Sequence, residues 1–227
     1  MKFNNTNFCI LEATNLLSVV DIPDDKLKLY KSVIPSFFKM PRQPKVLLYF
    51  LHNKKMASDS HNPYFEAGVC LRVGLSNYNE EGWHVLNMAV SDEVAYKLGI
   101  LGGYPKYIAE SIGLKNTNGS WLGKVKNAGK QFSVLTFNRR EIKVPWQEKY
   151  QFIDPFFLPV QNDSRVNILK VEFMEVDVFN RSSGISTFKI DTNEEWGNLI
   201  PGEDLTFPGM LEEFSGKCCL MMMQIDL

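Results

Sequence analysis

A mostly antiparallel α+β protein is what the sequence predicts, with a sheet that curls or closes on itself. Three observations carry this. Most apolar segments are short and rich in β-branched or aromatic residues, and only two stretches read as helix. Gly, Asn and Asp clusters separate most of these segments. No linker, repeat or low-complexity stretch divides the 227 residues, and a 44% hydrophobic content with sixteen Phe supplies one sizeable core. Residues 1–227 therefore read as a single domain.

The elements follow in chain order. "NLLSVVDI" is a β-branched apolar run that ends at Pro23. "DDKLKLYKSVIP" reads as a short helix with Asp24 or Asp25 as its cap, Leu27, Tyr30 and Ile34 on one face, and Pro35 at its end. "PKVLLYFL" is a strand buried on both faces, because its apolar run is continuous. "SDSHNP" is a loop by composition. "YFEAGVCLRVGL" and "WHVLNMAVS" follow as strands, then "DEVAYKLG" as one or two helical turns from an Asp cap, broken by "GGYP". Further strands are "GSWLGKVKN", "KQFSVLTFN", "FFLPV", "NILKVEFMEVDVFN", "STFKI" and the C-terminal "KCCLMMMQIDL".

Composition excludes several classes of function. The formal net charge is -1, so no nucleic-acid surface is expected. The longest apolar stretches are too short and interrupted to span a membrane, and "MKFNNTNFCILEATN" is too polar for a signal peptide. Cys9, Cys70, Cys218 and Cys219 include no CxxC, and Cys218 and Cys219 would point to opposite faces of a strand. The histidines His52, His61 and His84 are widely spaced, so no metal site is expected. A reduced, cytoplasmic protein is the natural setting. The patterns GxGxxG, GxxxxGKS, GxSxG and HExxH are all absent.

The stretch "LGGYPKYIAE" carries the chemistry. Lys106 follows Gly-Gly-Tyr-Pro directly, with apolar residues around it. It reads either as a surface charge after a turn or as a lysine held in place to react. At an unperturbed pKa of about 10.4, roughly one lysine in 2,500 is neutral at pH 7. Burial that lowers this by about 3 units leaves roughly a quarter neutral. Such an amine attacks a ketone, and the protonated imine is an electron sink, so no metal or organic cofactor is required. Pro105 fixes its own φ, Gly102 and Gly103 allow close backbone approach, and Tyr104 and Tyr107 supply ring walls.

"GGYPK", preceded by "HVLNMAVSD" and "PYFEAG", resembles the acetoacetate decarboxylase superfamily. The opening "LLSVVDIPDDKLKLYKSVIP" and the later "FFLPVQNDSRVNILKVEFMEVDVFNRSSG" are similar to that family's pattern too, so the resemblance covers most of the chain. It implies a closed or cone-like β-barrel around a central cavity. It implies that Lys106 is the Schiff-base lysine and that Glu66, within "YFE", is the carboxylate in the same cavity. Tyr64, two residues before Glu66, joins Tyr104 and Tyr107 as a candidate substrate-binding residue. On its own, Glu66 also reads as an exposed or ion-paired strand residue. A homo-oligomer is implied as well.

The chain departs from the family at several points. Tyr107 stands where authentic decarboxylases have a second lysine, and "LGI", Leu98 to Ile100, replaces Gly-Arg-Glu. The first arginine is Arg42, so the family's N-terminal arginine has no match, and "VLLYFL" lacks an acid. The implied activity is that of a carbon–carbon lyase using an imine on a small β-keto or other oxo acid. Aldol or dehydration chemistry on an oxo acid is the second reading, and a non-catalytic barrel that binds a small apolar ligand is the third. Elsewhere, His61 reads as a polar loop residue, the lysines of "WLGKVKNAGK" as solvated strand edges and "CCLMMM" as a buried strand. "NRREIK" reads as a hairpin end, from which Arg139 or Arg140 could reach a substrate carboxylate.

Overall fold

Among the described residues of the computed structural model, twelve strands pair into one mixed sheet with two short helices beside it. The structure describes residues 8–57, 63–76, 78–127, 130–140, 154–162, 165–191, 194–200 and 205–224. The predicted loop at 58–62, with His61, lies outside the described residues, as do residues 1–7 and 141–153.

β1 (Phe8–Asp21) extends well before the apolar run that marks it in the sequence. A 3-10 turn at Asp24–Lys26 leads into α1 (Leu27–Val33). Asp24 and Asp25 do not cap this helix. They lie inside the 3-10 turn, and neither Pro23 nor Lys26 at the cap positions makes a side-chain capping bond. The predicted face holds: Tyr30 and Ile34 are buried and Leu27 is half-buried. The Tyr30 hydroxyl donates to the Arg72 carbonyl (2.6 Å) and accepts from the Lys45 N–H (3.3 Å), which pins α1 to the sheet.

Next come β2 (Phe38–Lys39), β3 (Lys45–Met56), β4 (Tyr64–Leu75) and β5 (Glu81–Val90). α2 (Glu93–Leu101) starts at Asp92, whose carboxylate accepts from Ala95 N–H at 2.9 Å, as an Asp cap should. β6 (Lys106–Ile108), β7 (Ser111–Thr117), β8 (Ser120–Asn127), β9 (Lys130–Arg139) and β10 (Phe156–Asn162) precede β11 (Arg165–Ile190) and β12 (Thr206–Gln224). A 3-10 segment at Glu195–Leu199 joins the last two.

The strand order β10-β5-β4-β3-β1-β12-β11 returns to β10, which pairs with β11 as well as β5, so seven strands form a hydrogen-bonded ring. Among the described residues only the β5–β6 and β5–β10 pairings are parallel, so the predicted mostly antiparallel character holds. β9, β8 and β7 continue the sheet from the second half of β11. One hydrophobic cluster draws on all seven ring strands, with Leu17, Tyr49, Cys70, Met88, Leu158, Leu169 and Phe214 among its members. The second cluster lies on the opposite face of these strands, under α1, the 3-10 segment and the β7–β9 extension. On β3 the two sets alternate: Leu47, Tyr49 and Leu51 belong to the first, Val46, Leu48 and Phe50 to the second. Both faces are buried, as the continuous apolar run predicts.

β11 differs from the sequence reading, which split it in two at "RSSG". It is one strand of 26 residues with register shifts between Met174 and Asp177 and between Val178 and Asn180. Gly184 is not a turn residue. A Cβ there would overlap the Phe137 ring and the Asn138 carbonyl, so glycine lets β9 and β11 pack closely.

Candidate active site

The end of α2 sets the position of Lys106. Gly103, at φ +79°, takes the left-handed conformation that ends the helix, while Tyr104 N–H still reaches back to the Gly99 carbonyl at 3.0 Å. Pro105 then sits at the centre of a three-residue turn closed by Lys106 N–H on the Tyr104 carbonyl at 2.8 Å. The chain enters β6 at once, and Lys106 lies opposite Met88 of β5. Gly99 makes room for the lysine. A Cβ at Gly99 would overlap Cδ and Cε of Lys106.

Glu66 lies on β4 between Leu51 of β3 and Val90 of β5. Lys106 Nζ reaches across β5 and donates to Glu66 Oε2 at 2.8 Å, with the two side chains only 9% and 11% exposed. Tyr49 donates its hydroxyl to the other carboxylate oxygen at 3.0 Å. Burial, and then the Glu66 charge, push the Tyr49 hydroxyl well above its ordinary range, so it stays a donor. The same two causes, in the same order, raise the Cys70 thiol. Gly68 lies directly opposite Tyr49, and a Cβ there would overlap the phenol ring. The Tyr104 ring lies 5.3 Å from Lys106 Nζ, within cation–π range.

The structure thus brings Lys106, Glu66 and Tyr104 together on the face shared by the seven ring strands. Tyr64 is buried on β4, on the same face as Glu66 and opposite Asn53. Tyr107 is not brought to them. β6 begins at Lys106, so the next side chain alternates away, and Tyr107 lies opposite Ala89 and packs in the other cluster. Arg139 and Arg140 are exposed at the end of β9, and Lys124 and Lys126 lie on the solvent side of β8. Among the described residues no group of three or more His, Cys, Asp or Glu could hold a metal ion, and no helix is long and apolar enough to cross a membrane.

Tyr49 was missed in the sequence. A lone tyrosine hydroxyl in the apolar, doubly buried run "VLLYFL" is the signal, since that hydroxyl must find a partner. Gly68, whose missing Cβ leaves room for the Tyr49 ring, carries the other half of that signal.

Comparison with known proteins places this geometry in context. The acetoacetate decarboxylase family model matches residues 26–162, a span that holds both Glu66 and Lys106. No curated protein matches the chain. Among solved structures, it is similar to acetoacetate decarboxylase from Legionella pneumophila subsp. pneumophila str. Philadelphia 1, at 13% identity and TM-score 0.77 over 97% of this chain and 88% of that one. A second acetoacetate decarboxylase structure gives 15% identity and TM-score 0.79 over 98% and 91%. The enduracididine biosynthesis enzyme MppR, complexed with the condensation product of pyruvate and imidazole 4-carboxaldehyde, gives 12% identity and TM-score 0.70 over 99% and 91%. At these identities the structural likeness is one of fold.

Proposed function

The chain belongs to the acetoacetate decarboxylase family, and from that premise we propose that it is a lyase whose Lys106 forms a Schiff base with a small oxo acid, most simply a β-keto acid that it decarboxylates. The observation that carries this reading is the buried 2.8 Å contact between Lys106 Nζ and Glu66 Oε2. The seven-strand ring acts, in this reading, as a closed barrel around the site, and its apolar lining keeps water from the reacting atoms.

An amine attacks a ketone through its lone pair, so Lys106 first gives up a proton, and Glu66 is the base in reach. A C–N bond forms as the ketone oxygen leaves as water. The protonated imine then takes up the electron pair of the bond to the carboxylate, which departs as carbon dioxide and leaves an enamine. Protonation of the enamine carbon and attack of water on the imine carbon release the ketone product and restore the amine. Tyr49 holds the second oxygen of Glu66, so the carboxylate keeps one orientation through these transfers. Tyr104 offers its ring face to the positive charge.

A second reading keeps the imine and changes its fate to aldol condensation or dehydration. MppR, which shares the fold, was solved with a condensation product of pyruvate and an aldehyde, and that favours this branch. Either way the partner is a small oxo acid, with no nucleic acid or membrane, and we place the protein in the cytoplasm as a homo-oligomer. Sedimentation measures the last point.

Borohydride trapping tests the proposal. With a panel of β-keto and 2-oxo acids, mass spectrometry should find a reduced adduct on Lys106, and Lys106→Ala should lose it altogether. Released carbon dioxide then separates decarboxylation from aldol chemistry. No adduct from any acid on a folded protein would overturn both enzyme readings in favour of simple ligand binding.

A further inference from the structure

The inner face of the ring holds polar side chains that the Lys106–Glu66 chemistry does not use. Asn15 of β1 is 0% exposed, Asn53 of β3 1% and Glu212 of β12 0%. Both amide atoms of Asn15, both of Asn53 and Oε2 of Glu212 have no hydrogen-bond partner among the described residues. Oε1 of Glu212 accepts from Arg181 Nε at 2.9 Å. Buried polar atoms are nearly always paired, because leaving them unpaired is costly. Three such side chains together form a polar band, unpaired among the described residues, that the hydrogen-bonding group of a ligand can complete.

Register places the three in one band. Asn15 lies opposite both Leu51 and Glu212, and Glu212 lies opposite Arg181. Leu51 in turn lies opposite Glu66, and Asn53 opposite Tyr64. Asn53 is therefore the diagonal neighbour of both Glu66 and Asn15, at about 7–8 Å each. Asn15 stands two strands from Glu66, about 10 Å along the sheet. These positions share a face with Leu17, Tyr49 and Phe214, members of the cluster common to the ring strands. The band runs from the reactive pair to Arg181 without leaving that face.

We propose that Asn15, Asn53 and Glu212 form a recognition subsite for an uncharged hydrogen-bonding group, a carboxamide or hydroxyl, at the far end of the oxo acid whose carbonyl reacts with Lys106. This rests on the Schiff-base reading and adds a substrate class to it. An uncharged group fits because the formal charges in the band are already matched, Lys106 by Glu66 and Arg181 by Glu212. Two carboxamides offer donors and acceptors alike. Burial pushes the Glu212 carboxyl up to about 7 against the pull of Arg181, so near neutrality Oε2 serves as donor or acceptor. An apolar tail would leave these atoms unpaired, and that is how such sites discriminate.

The test compares borohydride trapping rates at Lys106 for four 2-oxo acids: 2-oxoglutaramate, 5-hydroxy-2-oxopentanoate, 2-oxohexanoate and 2-oxoglutarate. The wild type should trap the first two at least tenfold faster than the others. Asn15→Leu and Asn53→Leu should lower trapping of the first two about tenfold and raise that of 2-oxohexanoate. Both variants should melt at or above the wild-type temperature, since each replaces unpaired polar atoms with apolar ones. Equal rates for all four acids in the wild type, a uniform fall for all four in the variants, or a lower melting temperature in both variants would overturn the subsite while leaving the Schiff base standing. Absence of any adduct, here and with β-keto acids, would overturn the Schiff base and the subsite with it.

Discussion

Gly99 is where helix and lysine meet, and it shows how a single hydrogen in place of a methyl can set a site. Alanine is better than glycine in a helix interior by about 1 kcal/mol. Local propensity thus favours Gly99→Ala, while the Lys106 side chain forbids the Cβ. The expected result is a folded variant whose borohydride adduct at Lys106 falls at least tenfold, checked by melting and trapping on the same sample. Wild-type trapping would mean that the lysine stem shifts at no cost. At this scale the sequence exposed Lys106 and Glu66 through the order of "YFE" and "GGYPK". It concealed Tyr49, because a run buried on both faces carries no facing signal. It gave both Tyr104 and Tyr107 as ring walls around the lysine, and only the start of β6 at Lys106 separates them. Asn15 opens the predicted run "NLLSVVDI", yet β1 continues back through it to Phe8 and buries it completely.

β10 is the element that closes the ring, and its hold on β5 is slight, a single parallel register of Phe156 with Trp83. Side chains reinforce it. Arg72 pairs with Asp154 just before β10 and lies over the Trp83 ring, and His84 Nδ1 is 3.3 Å from the Phe157 carbonyl. Burial lowers the His84 pKa to about 4, partly opposed by that backbone contact. A depressed histidine gives stability that is full above its ordinary 6.5 and is lost as pH falls toward 4, about 3 kcal/mol across the window. His84→Phe should therefore lose less stability than the wild type between pH 6.5 and 4, measured by urea melts across that range. A parallel slope in the two proteins would show that His84 does not carry the effect. Most strands were legible from alternation and turn residues, and β4 matches its predicted span. β11 was not, because "RSSG" has turn composition and only the neighbouring Phe137 ring explains its glycine. β6 and β7 were missed because one is three residues long and the other is half polar.

Across the whole molecule, two buried groups on the ring strands oppose one another in their response to acid. Glu212 is held up at about 7 from a usual 4.5, so its contribution is full below pH 4.5 and is lost as pH rises through 7. His84 runs the other way. Each spans about 2.5 units, about 3 kcal/mol, and between pH 4.5 and 6.5 the two slopes cancel. Glu212→Gln should unmask the histidine, so that stability rises more steeply with pH through this window than in the wild type. A flat profile in the variant would refute the balance. The mixed fold with few helices was legible at this scale, since strand number and spacing decide it. The ring was not, because its closure depends on one short parallel contact and on pairing between distant strands. That pairing also fixes a sequence of events in time. Leu16 waits for Leu211, and at a synthesis rate of about 5–20 residues per second the delay is roughly 10–40 s. Glu66 and Lys106 lie on the two strands that flank β5, all three made early, so their contact can form on an open sheet. In the Schiff-base reading proposed above, the nascent chain for those seconds shows its lysine to every aldehyde and ketone around it. On the same reading, selectivity arrives only when β12 is made and joins β1 to β11.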